Sequence, residues 1–132
     1  GTLQCPPPVP PNLAAVASGP ASVAKNKAAS YTFGVVNTSP ANAAKADPST
    51  LVVILPANTV FTAKNSSPLC SLASPTSIYC KAPAMASGQS TLFPVILTRK
   101  SAGKVAFNGV LVPGGADTNS GDNQAVINTT IK

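Results

Sequence analysis

The sequence predicts an all-β chain: an antiparallel β-sandwich of about seven or eight strands, preceded by an N-terminal polyproline arm. Three observations carry this. Short apolar or alternating segments recur along the chain, and Gly, Pro, Asn, Asp and Ser punctuate them. Only one short stretch, Ala21 to Ala29, has helical composition. At 132 residues the chain suits one domain with one core of sandwich size. We divide it into a Pro-rich arm or linker, residues 1–11, and a sandwich domain, residues 12–132.

The arm carries Pro6, Pro7, Pro8, Pro10 and Pro11. Proline lacks a backbone donor, so this segment reads as polyproline II and cannot form a central strand. Only Gly1 to Cys5 retain the N–H groups needed to pair as a strand. Residues Leu3, Cys5, Pro6, Pro7, Pro8 and Val9 form an apolar arm with no chain of its own to cover. It reads either as a linker or as an arm that docks on a neighbouring copy.

Next, Ala21 to Ala29 is expected to be extended despite its composition, because Ser30 and Tyr31 follow without a helix stop and weak propensity is readily overridden. Ser30 to Val36 alternates, with Tyr31, Phe33 and Val35 on one face. Leu51 to Leu55 is wholly apolar, and Val52 and Ile54 are expected to face the core. Val60-Phe61-Thr62 and Ser77 to Cys80 are shorter strands. Thr91 to Thr98 aligns Phe93, Val95 and Leu97; Pro94 within it suggests an edge or a bulge. Lys104 to Val112 aligns Val105, Phe107 and Leu111. Gln124 to Ile131 closes the chain.

Composition excludes several functions. Charged residues make up 9% of the chain, against about 25% in an ordinary soluble domain. The formal net charge of +6 reflects a scarcity of acids: Asp47, Asp117 and Asp122 are the three, and there is no Glu, His or Trp. The basic residues are scattered, with no Lys/Arg stripe of the kind nucleic-acid binders show. Arg99, Lys100 and Lys104 read as a hairpin tip. No apolar run is long enough to span a membrane. A chain beginning at Gly1 fits a processed mature form, and equally a cloned fragment. Without His or Glu, no Ser-His-Asp set or carboxylate acid/base pair can be built. The two Ser-x-x-Lys matches, at Ser22 and Ser101, lack companion motifs. We therefore expect no enzyme and no cofactor.

Three cysteines remain. Cys70 and Cys80 enclose a short loop containing Pro75 between two strands, which favours a bridge between them. Cys5 is then left over, free or joined to a partner outside the domain. Asp117, Asn119 and Asp122 punctuate a segment that resembles a calcium loop, but such Asx-rich runs are also ordinary turns. No other metal ligands are expected. Sequons place candidate glycans at Asn65, Asn37 and Asn128, with Asn65 the strongest of the three. A Lys–Asn isopeptide crosslink would need Lys25 or Lys27, Asn128 and Asp47.

Taken in order, several of these features resemble the conserved-repeat Ig-like family known as domain of unknown function eleven. The matching pieces are Tyr31 running into Asn37-Thr38, Leu55-Pro56, Phe61, and Cys70 with Cys80. Gly88-Gln89-Ser90 and Asp117-Thr118-Asn119 with Asn123 complete them. The match runs from about Pro20 to the end; the arm and Cys5 lie outside it. The resemblance implies an immunoglobulin-like sandwich on an extracellular or cell-surface protein, and no catalysis. With the low charge and the arm, the expected partners are copies of this chain and, as an alternative, glycans, with no nucleic acid. The expected role is a structural subunit of a surface assembly or filament, the alternative a carbohydrate-binding or adhesive module.

Overall fold

The computed structural model describes residues 11–41, 43–114 and 123–132. Ten strands lie in these residues: β1 Leu13–Ser18, β2 Ser22–Val23, β3 Ala28–Asn37, β4 Ser49–Ile54 and β5 Thr59–Thr62. Then follow β6 Cys70–Ser74, β7 Ser77–Ala82, β8 Ser90–Arg99, β9 Gly103–Val112 and β10 Gln124–Ile131. They form two sheets, one ordered β1-β3-β8-β5 and the other β2-β10-β9-β4-β7-β6. Every pairing is antiparallel except the short parallel contact of β2 with β10.

The core lies between the sheets. Phe33, Phe93, Phe107, Val35 and Val95 are fully enclosed, as period-two alternation requires of a strand with one buried face. Tyr31 packs its ring against Phe107, centroids 4.9 Å apart. Val105 packs against the core only in part.

Register defines two poles. At one, β3 ends at Asn37 opposite Leu13, where β1 begins; Ser49, Ala82 and Val112 lie at the same end of the larger sheet. At the other, β3 begins opposite Thr98, β9 begins opposite Ile131, and Arg99 closes β8. The chain thus enters the sandwich at the Asn37 pole, and β10 leaves it at the Arg99 pole.

Four expectations need correction. Leu51, Val53 and Leu55 point into the core, while Ile54 is 45% exposed and Val52 half-buried on the outer face. A run apolar at every position carries no alternation, so its parity is set by pairing with β7 and β9. Pro94 lies in β8, an interior strand of its sheet. It is tolerated because β5 pairs only as far as Ile96, and beyond it Ser67 N–H donates to the Pro94 carbonyl at 2.7 Å. The Ala21 to Ala29 stretch is not one strand: β2 is two residues long, and Asn26 turns the chain at φ 67° before β3. Finally, the strand count exceeds seven or eight because β1 and β2 divide one edge strand between the two sheets and β6 adds a further edge strand beside β7.

Candidate functional site

Asn37 is completely buried. Its Nδ2 donates to the Met85 carbonyl at 3.0 Å, and its Oδ1 accepts from Ser39 N–H at 3.0 Å and from the Ser39 hydroxyl. Its backbone N–H donates to Gln89 O, and its carbonyl accepts from Gly88. Thr38 N–H donates to Asn12 O at 2.9 Å. Asn37 therefore ties the start of β1, the end of β3 and the β7–β8 connection into one knot. An Asn amide that donates to protein and has no solvent access cannot carry a glycan in the folded chain, so Asn37 is removed from the candidate sequons. Asn65, in a left-handed turn at φ 67°, and Asn128 on β10 are both exposed.

Cys70 and Cys80 stand opposite each other across β6 and β7 and are joined by a disulfide. The bridge closes the outermost strand pair of the larger sheet, and β6 is bulged between Leu72 and Ser74. Cys5 and the arm residues Leu3, Pro6, Pro7, Pro8 and Val9 lie outside the described residues. So do Asp117, Asn119 and Asp122. Among the described residues, no group of three or more His, Cys, Asp or Glu lies together. The residues of an isopeptide crosslink are not brought together either. Lys25 N–H bonds the Lys132 carbonyl at the Arg99 pole, whereas Asp47 adjoins Pro48 and Gly114 at the Asn37 pole.

At the Arg99 pole the side chain of Arg99 folds inward and is buried. Its guanidinium donates to the Ala57 carbonyl, to Thr59 Oγ1 at 3.0 Å and to Ser101 Oγ at 3.1 Å. It pins the β4–β5 turn to the β8–β9 hairpin. The sequence places Arg99 at a hairpin tip, and the structure adds that its side chain is buried there.

The most distinctive place is the corner where β1 gives way to β2. β1 pairs β3 only as far as Ser18 opposite Thr32. The chain then turns through Gly19 and Pro20 and crosses to the other sheet, where β2 joins β10. A Cβ at Gly19 would lie 2.3 Å from Cδ1 of the Tyr31 ring, so only glycine passes. The corner is latched: Tyr31 Oη bonds Thr129 Oγ1 at 3.1 Å, and Thr129 Oγ1 donates to Pro20 O at 2.9 Å. β3, by contrast, begins nearer the Arg99 pole and pairs β8 from Ala28 onward. Among the described residues no strand flanks Ala28–Tyr31 on the side that β1 has left. A groove of about 270 Å³ occupies that place, lined by Pro20, Ser22, Val23, Lys27, Ala28 and Ala29 among others. Sequence reading missed this corner; Gly19-Pro20 ahead of an alternating strand was its only signal.

No family model matches the sequence, and no curated protein matches it. Solved structures do. The chain is similar to a CARDB domain from Pyrococcus furiosus, solved in complex with di-metal ions. The TM-score is 0.68 at 15% identity, over 92% of this chain and 89% of that one. This fold is immunoglobulin-like. A solution structure of a Pyrococcus furiosus CARDB domain gives a TM-score of 0.60 at 17% identity, covering 93% and 96%. A non-cellulosomal cohesin from the hyperthermophilic archaeon Archaeoglobus fulgidus gives 0.55 at 14%, covering 92% and 91%. At such identities the likeness concerns the sandwich itself.

Proposed function

We propose that this chain is a non-catalytic structural subunit of an extracellular surface assembly, joining copies of itself head to tail through its N-terminal arm and its strand edges. The disposition of the two poles carries the reading. The arm enters at the Asn37 pole, where Leu13 pairs Asn37, and the uncovered edge of β3 lies toward the Arg99 pole. A contact between unlike ends that does not close by rotation propagates as a filament. The disulfide suits an oxidising compartment, and the resemblance to surface-protein repeats points the same way. Electron microscopy of the native chain beside one lacking residues 1–11 tests this. Filaments from the native chain alone support it; native material that stays monomeric at high concentration, or a truncated chain that polymerises equally well, overturns it.

A second reading, a carbohydrate-binding or adhesive module, draws support from Tyr79. Its side chain is 44% exposed on the outer face of the larger sheet, opposite Val52, where a ring can stack on a sugar. A saturable glycan-array signal lost in Tyr79→Ala would favour it.

A further inference from the structure

We infer that the uncovered edge of β3 at Ala28–Tyr31 is an acceptor slot for residues Gly1 to Cys5 of a second copy, which add to it as an antiparallel strand. This rests on the head-to-tail reading above and gives it an address.

The slot is defined by what stops. β8 pairs β3 from Ala28 to Val36, whereas β1 pairs it only from Thr32 to Asn37. The four residues Ala28–Tyr31 therefore have β8 on one side and, among the described residues, no strand on the other, where a groove lies against Ala28 and Ala29. An exposed strand edge is a template for another chain, and adding an extended segment to it is a recurrent mode of recognition. Ala28, Ala29 and Ser30 are small, Ala28 and Ser30 are exposed, and the Tyr31 ring turns into the core, so an incoming backbone meets little steric obstruction. Charge does not bar it, since Lys27 is the sole charged lining residue and the first ten residues of the chain carry no charged side chain.

Length and chemistry select the occupant. A strand of about four residues is required, and Gly1 to Cys5 supply five consecutive residues with N–H groups before Pro6 ends the pairing capacity. An antiparallel register with Cys5 opposite Ala29 and Leu3 opposite Tyr31 puts Leu3 and Cys5 on the core side, where Ala29 already packs against the core. Direction agrees as well. β1 runs from the Asn37 pole toward the Arg99 pole, antiparallel to β3. A copy stacked beyond the Arg99 pole would lower its residues 1–5 into the slot in that same sense, collinear with β1 below. Residues 6–11, at about 3.1 Å each as polyproline II, would span roughly 19 Å to its own first strand.

Cys5 supplies the test. The full-length chain carrying Ala29→Cys is incubated with glutathione disulfide. Closing a bond between Cys5 and the thiol introduced at position 29 releases two protons, and its two electrons reduce the glutathione disulfide to two thiols. The expected result is a ladder of disulfide-linked oligomers, with Cys5 joined to position 29 by peptide mapping. Val126→Cys, on the outer face of β10, should crosslink at least tenfold less. A bond between Cys5 and position 29 found only within monomers would mean that the arm covers its own slot and would overturn the proposal. Filaments that form without this crosslink would overturn the slot and leave the assembly reading standing. The absence of any oligomer overturns both.

Discussion

At the β6 edge, the six-stranded sheet ends in a strand that is bulged and covalently tied to its neighbour by Cys70–Cys80. At the β3 edge near the Arg99 pole, the four-stranded sheet loses its outer strand to the other sheet and presents Ala28–Tyr31 with one flank uncovered. Both are sheet edges, and natural sandwiches guard edges against unwanted pairing. One here is blunted by a bulge and a crosslink; the other is held rigid from behind by the Tyr31–Thr129–Pro20 latch and left unguarded in front. The difference teaches that the second edge is a built surface: the latch holds its backbone, and Ala28, Ala29 and Ser30 on it are small.

The largest expected effect falls on the guarded edge. Cys70→Ser with Cys80→Ser should lower stability by about 2.5–3 kcal/mol on the chain-entropy account of a short loop, read from urea unfolding. Oligomer formation by the folded fraction should be unchanged, and a loss of assembly with the fold intact would break the comparison. Gly19→Ala comes next, because its Cβ must displace the enclosed Tyr31 ring; overpacking of this kind costs about 1–3 kcal/mol. Tyr31→Phe removes the hydroxyl that bonds Thr129 and should cost about 0.5–1.5 kcal/mol, with faster amide exchange at the Gly19–Pro20 corner. The smallest effect on folding is expected from Ala28→Lys, an exposed position in the slot. Its melting curve should shift by no more than about 0.5 kcal/mol in equivalent stability, while sedimentation shows association weakened at least tenfold. Equal association by this variant would remove the slot from the account.

Much of the sandwich was legible because alternation is unambiguous where polar and apolar residues trade places, as in Ser30 to Val36 and Thr91 to Thr98. It failed at Leu51 to Leu55, where both faces are apolar and only pairing with β7 and β9 decides that Leu51 and Val53 go inward. Cys70 and Cys80 were legible from their position between two strands. Asn37 looked like a sequon because three-residue grammar says nothing about burial; its hydrogen bonds to Met85 and Ser39 come from chain segments 48 and 2 residues away. The open edge was illegible for a related reason. It is made by the departure of β1, and a departure leaves no composition behind except Gly19-Pro20. Arg99 announced its charge in sequence, but not that Thr59 and Ser101 would draw the guanidinium inside.

Hydrogen exchange of the full-length chain across a concentration series measures the difference between the two edges directly. The account predicts that those amides of Ala28–Tyr31 that face away from β8 exchange rapidly in dilute solution and become protected as concentration rises, while those of β6 and β7 stay constant. Protection of these edge amides that is already complete at the lowest concentration, or that never appears as oligomers form, would contradict it.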